Sequence, residues 1–292
     1  MSLTWPIIAA VLFGALLHAS WNALIKSGSD KALDVALIHV MGCAVGVVLV
    51  LLVGLPRPQA LPWLATSIVI HIGYYIALAG AYRHGDLGLT YPIMRGSGPL
   101  LVAIVLGASG GAIIDEAISF ATWLGVAGIS GGVLLVGLSP SAPGGNHRRA
   151  LQFALFNACI IATYTIIDGI GVRASGNALQ YVALLFMIDG LPYFLLVMHR
   201  RGKAGRPAAW AHMHKRWPLA LLGTSASLGS YGIALWAMTR APVAAVAALR
   251  ETSVLFAVLL GTRLLKEPFG VRRAAGTICI VGGVMALRLA PA

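Results

Sequence analysis

Residues 32–55 read ALDVALIHVMGCAVGVVLVLLVGL. One acid near the start and one His interrupt an otherwise apolar run. A helix needs about 20 mostly apolar residues to cross a bilayer, so this stretch is of spanning length. The apolar residues are continuous, whereas barrel strands would alternate every second residue. The same pattern recurs along the chain, with spans at roughly 4–26, 32–55, 61–83, 88–110, 117–138, 149–173, 178–199, 216–240, 242–264 and 270–289. The expected fold class is therefore an all-α integral membrane protein of ten transmembrane helices.

Composition agrees. Hydrophobic residues make up 59% and charged residues 10%, and the mean hydropathy is +0.87. A soluble domain carries about 25% charge, and one of 292 residues could not hide this much apolar surface. The first span lacks a basic n-region and is too long for a signal peptide, so it is expected to stay.

The net charge of +12 raises the question of nucleic acid, and its placement answers it. Fifteen of the 21 Lys and Arg fall in the 1–2, 3–4, 5–6, 7–8 and 9–10 connections, and four on the other side with both termini. Arg95 and Arg250 lie inside spans. This is the positive-inside pattern. It predicts a cell (inner) membrane protein with both termini outside and no nucleic-acid partner. Arg200, Arg201, Lys203, Arg206, Lys215 and Arg216 are then a cytoplasmic anchor near anionic lipid. Cys43, Cys159 and Cys279 fall within spans as small packing residues, not as a disulfide framework. No metal or cofactor is expected.

The last five spans resemble the first five. Val35-Ala-Leu-Ile-His-Val-Met-Gly42 matches Val182-Ala-Leu-Leu-Phe-Met-Ile-Asp189, and Ile76-Ala-Leu-Ala-Gly-Ala-Tyr-Arg83 matches Ile233-Ala-Leu-Trp-Ala-Met-Thr-Arg240. Met94-Arg95 matches Leu249-Arg250, and Gly131-Gly-Val133 matches Gly282-Gly-Val284. The expected division is 1–140 for the first five-helix repeat, 141–148 for a linker and 149–292 for the second. A repeat with an odd number of helices must insert upside down. The loops agree: the 4–5 connection carries Asp115 and Glu116, and its counterpart carries Arg263, Lys266, Arg272 and Arg273. Inverted repeats are a feature of secondary transporters.

Two sets of five spans, a Gly-rich last span in each, and Lys266-Glu267-Pro268 before the tenth resemble the drug/metabolite transporter superfamily in its ten-helix EamA branch. The stretch His18-Ala-Ser-Trp-Asn-Ala-Leu-Ile-Lys26 is similar to that branch's first-helix pattern. The resemblance covers nearly the whole chain and comes nearest to the bacterial aromatic amino acid exporters. It implies a cavity lined by helices 1, 3, 4, 6, 8 and 9. The small four-helix members of the superfamily exchange protons on a first-helix Glu. Residues 4–26 hold no Asp or Glu, so that chemistry does not carry over; Glu251, Asp189 or His18 would have to serve.

Charges inside a membrane are costly and need a reason. Arg95, Asp189, Arg250 and Glu251 lie near the midplane. Either they neutralise one another, or Arg95 or Arg250 holds a substrate carboxylate through a charge-assisted fork. Asp168 is a weaker candidate. His18, Trp21, Asn22, Tyr74, Tyr75, Tyr164 and Tyr231 complete the expected substrate-binding set, because an aromatic-walled pocket with a few polar points suits an amphipathic solute. Gly96, Gly98 and Pro99, with Gly190 and Pro192, are expected hinges or breaks, or else kinks and close-packing points. Gly125, Gly128, Gly132, Gly276, Gly282 and Gly283 permit close helix contact. The expectation is packing within a functional monomer, with a dimer as the alternative.

No phosphate-loop motif, zinc helix motif or G-x-S-x-G appears, so no enzyme is expected. The reading is a secondary transporter that exports small zwitterionic metabolites, above all amino acids including aromatic ones, by alternating access through a central cavity. The alternative is a multidrug or other small-metabolite exporter of the same superfamily.

Overall fold

The computed structural model describes residues 3–84, 87–137, 147–265 and 270–289. These residues are almost entirely helical: α1 (Trp5–Lys26), α2 (Lys31–Val53), a one-turn 3-10 helix (Pro58–Ala60), α3 (Leu61–His84), α4 (Leu87–Ala108), α5 (Phe120–Gly137), α6 (His147–Ala174), α7 (Ala178–Met238), α8 (Val243–Arg250), α9 (Ser253–Leu265) and α10 (Val271–Leu289). Local chemistry sets several starts. Pro6 sits in the first turn of α1, where no backbone donor is missed. Asp30 caps α2 by accepting from the Leu33 N–H at 3.1 Å, and Asn177 caps α7 by accepting from Leu179 at 2.9 Å. Among the described residues, six helices are long and apolar enough to cross a membrane.

Two expected spans are merged and one is divided. The polar stretch 201–215, expected as a connection, is helical apart from Gly202, so spans seven and eight form the single 61-residue α7. It is not straight. Gly202 has φ +63°, a backbone region that only glycine enters at no cost. The arm before it runs antiparallel to α2, with Gly46 packed on Ala183 and Met187 and Gly190 on His39. The arm after it runs parallel to α2, with Gly223 on Ile38 and the Thr224 hydroxyl donating to the Ile38 carbonyl at 2.9 Å. Both arms flank α2, so α7 is a helical hairpin.

The ninth span is divided at Glu251 and Thr252 into α8 and α9. Amide donors of residues 251, 252, 254 and 255 reach back three residues rather than four, and the Thr252 hydroxyl donates to the Leu249 carbonyl at 2.7 Å. The backbone is thus paired through the break, as a low-dielectric setting requires.

The breaks expected in the fourth and seventh spans are absent. α4 is continuous through Pro92 and Pro99, and α7 is continuous through Pro192. Their glycines serve close packing: a Cβ on Gly96 would lie 2.9 Å from Leu134 Cγ, and one on Gly98 3.0 Å from Ile161. The proline ring is accommodated because its missing bond leaves one carbonyl, which costs less than unwinding a whole turn. The expected linker residues 141–146 and Lys266-Glu267-Pro268 lie outside the described residues.

α5 and α10 cross antiparallel on glycine. Gly125 meets Gly283 and Leu287, and Gly132 meets Gly276 and Ile280. A Cβ on Gly132 would lie 2.6 Å from the Gly276 carbonyl oxygen, whereas one on Gly282 meets nothing within 4 Å. The interface glycines are therefore used within the chain, and Gly282 faces outward. Cys159 and Cys279 are exposed rather than packed. Gly132→Leu should destabilise by roughly 1–3 kcal/mol through overpacking, and Gly282→Ala should not. Thermal unfolding of the two variants in the same detergent checks the contrast.

Candidate functional site

The buried charges meet where α4 passes the α8–α9 break. The Arg95 Nε and Glu251 Oε2 atoms are 2.7 Å apart, without hydrogen-bond alignment, so the contact is an ion pair. The Arg95 Nη2 donates to the Ser253 hydroxyl at 3.4 Å. Arg95 is 9% and Glu251 4% exposed; two charges this deep persist only by compensating each other. Arg250, one residue before Glu251, stacks its guanidinium on the Tyr231 ring at 5.0 Å from the centroid. Among the described residues Arg250 has no ion pair.

Arg95, Arg250, Glu251 and Tyr164 line one small cavity, with Gly98 and Pro99 in its wall. It has room for about one water molecule. Tyr74 meets Tyr164 edge-on at 6.2 Å, and His71 stacks on Tyr164 at 4.6 Å. His18 lies within electrostatic reach of Arg95 and Arg250. The structure therefore brings His18, Tyr74, Arg95, Tyr164, Tyr231, Arg250 and Glu251 around one region.

Other expected members fall elsewhere. Trp21 donates its Nε1–H to His18 Nδ1 at 3.3 Å and packs with a separate apolar cluster near Leu33 and Val197. Asn22 donates to its own helix, at the His18 carbonyl. Asp189 sits beside His39 and Cys43 of α2, not with the arginines. The Tyr75 side chain lies outside the described ones. Among the described residues no group of three His, Cys, Asp or Glu could hold a metal ion.

Sequence reasoning missed the polar seals at the two ends of the bundle. At the end bearing Trp5, Arg173 pairs with Glu116 and donates to the Met238 and Ala241 carbonyls. Glu116 also accepts from the Val243 N–H at 3.0 Å. These bonds tie α6 to the segments before α5 and α8. Arg288 stacks over Trp5 at 5.5 Å, so the start of α1 and the end of α10 lie together.

At the opposite end, Asp34 receives Arg216 in a fork at 3.1 and 3.2 Å and His212 at 3.0 Å. Arg201 pairs with Asp30. Partial burial pushes the Asp30 carboxyl up, but the Leu33 N–H bond and Arg201 outweigh it and hold the group below the usual range. A depressed carboxyl contributes its contact above the unfolded value and loses it as pH falls through the folded one. Nothing in a run of apolar helices signals which loop acid meets which loop base; the signal was a lone Asp34 inside a spanning stretch.

A bundle of apolar helices around paired midplane charges defines a multi-pass membrane protein with an internal polar site. Residues 148–289 match the EamA-like transporter family. The matched stretch is about the second half of the chain, and the family that it resembles is one of transporters. A crystal structure of a protein superposes with a TM-score of 0.72 at 20% identity, covering 96% of this chain and 98% of that one. It shares the fold. No curated protein matches the sequence.

Removing one member of the Arg95–Glu251 pair leaves an uncompensated buried charge. Arg95→Ala and Glu251→Ala should each cost about 3–5 kcal/mol, and the double variant less than their sum. A double-mutant cycle on unfolding in detergent reads the coupling.

Proposed function

We propose that the chain is a secondary transporter of small zwitterionic metabolites, most of all amino acids including aromatic ones, and that it works by alternating access. The observation that carries the substrate class is Arg250. It lies at a helix break, on a cavity wall, with a tyrosine beneath it and no carboxylate of its own among the described residues. A planar guanidinium so placed offers a fork to a substrate carboxylate, and Tyr74, Tyr164 and Tyr231 offer aromatic faces. Arg95 is held by Glu251 and shapes the field instead.

Two inverted five-helix repeats, 1–140 and 149–292, are supported by how the helices pair. With spans one to five set against six to ten, α5 on α10 is its own counterpart. Contact of α1 with the second arm of α7 corresponds to contact of α3 with α6. Contact of α4 with α6 corresponds to contact of α1 with α8 and α9. Arg95 meets the neighbour of its own repeat-equivalent, Arg250, as expected beside a two-fold axis. Each end carries its own polar seal, and alternating access needs one to open while the other holds. In the orientation set by the Lys and Arg asymmetry, the Asp34–Arg216 seal is cytoplasmic and both termini are outside, in an inner membrane.

Counterflow in proteoliposomes tests the reading, with tryptophan, phenylalanine and threonine compared with their decarboxylated amines. Exchange of the acids but not the amines is expected. Arg250→Ala should lower exchange at least tenfold, a loss of about 1.4 kcal/mol or more of carboxylate binding. Equal exchange of acids and amines, unaffected by Arg250→Ala, would move the assignment to a multidrug or other metabolite exporter. A C-terminal reporter active only in the cytoplasm should stay silent.

A further inference from the structure

One buried acid is not used by the carboxylate hook. Asp168 on α6 is wholly buried and faces hydroxyls rather than an arginine. The Tyr181 hydroxyl, from the first arm of α7, donates to Oδ1 at 2.9 Å. The Tyr231 hydroxyl, from the second arm, donates to Oδ2. Ser67 and His71 of α3 stand beside it, with His71 Nδ1 3.0 Å from the Ser67 carbonyl oxygen and 3.3 Å from its hydroxyl. On its own helix, Tyr164 and Thr165 line the cavity about one turn earlier, and Arg173 is committed to Glu116. From α8, Arg250 reaches this group only through the ring of Tyr231.

Tyr231 thus touches both centres. Its ring lies under the proposed carboxylate hook, and its hydroxyl holds Asp168. A zwitterion on Arg250 brings an ammonium group that needs an acceptor. Glu251 is taken by Arg95. Asp168, one helical turn from the cavity wall and separated from it by Tyr231, is the acidic group within reach that no arginine occupies among the described residues. Resting on the amino acid reading above, we infer that Asp168 is the coupling site, where the carrier exchanges a proton for the ammonium of its substrate. A proton taken from water on one side adds to Oδ2, and Tyr231 gives up its O–H···O bond. The proton returns to water on the other side when an ammonium takes the carboxylate. One oxygen pair cannot hold both cations, so the two fluxes run in opposite directions.

Infrared titration of the purified chain in lipid, without substrate, tests proton binding apart from transport. A carboxylic C=O band should grow as pH falls across the physiological range, vanish in Asp168→Asn and persist at a shifted frequency in Asp168→Glu. Tyr231→Phe keeps the ring beneath Arg250 but removes a donor to the carboxylate, so the same band should appear at higher pH, a shift of its titration. A titrating band that survives Asp168→Asn, or none that shifts in Tyr231→Phe, overturns the assignment. In vesicles that show counterflow, an opposing pH gradient should accelerate wild-type flux several-fold, whereas Asp168→Asn, which also loses the ammonium contact, should exchange more slowly and gain nothing from the gradient; flux indifferent to the gradient in wild type also overturns it. Absence of counterflow for every amino acid sinks the transport reading instead, while the infrared result still decides whether Asp168 binds the proton.

Discussion

The ion pair between Arg95 and Glu251 is the constraint around which the centre is arranged. Neither charge survives at this depth alone, so α4 must stay against the α8–α9 break. That requirement explains why the break falls at Glu251, although neither glycine nor proline marks it. The turn places the Glu251 carboxyl and the Ser253 hydroxyl toward Arg95 while three-residue backbone bonds keep the amides paired. It also turns Arg250 onto Tyr231 rather than onto an acid.

Around that centre the packing is close where small residues allow it. Gly125, Gly132, Gly276 and Gly283 let α5 and α10 touch backbone to backbone, and lipid offers no hydrophobic drive to substitute for such contact. Gly46 and Gly190 do the same between α2 and the first arm of α7. The bundle ends use charge instead, with Arg173–Glu116 at one and Asp34–Arg216 at the other.

The central cavity is small, and its shape follows from the same residues. Tyr164, Arg250 and the Arg95–Glu251 pair line it, and Tyr231 backs the Arg250 guanidinium.

Membrane class and the positions of the first six spans were legible in the residues, because hydropathy and spacing act locally along a helix; the hairpin through 201–215 and the break at Glu251 were not. The midplane arginines stood out for the same reason, and so did the glycine faces. Partner choice was not legible. Asp189 looked equivalent to Glu251 but faces α2 beside His39 and Cys43, Asp168 looked peripheral but anchors two tyrosines, and Gly96 and Gly98, read as breaks or close-packing points, are packing points in a continuous helix. Those outcomes depend on which helix faces which across the bundle. A single helix sets the depth of a side chain; only the folded bundle sets its neighbour, since the energy that decides it belongs to pairs of residues far apart in the chain.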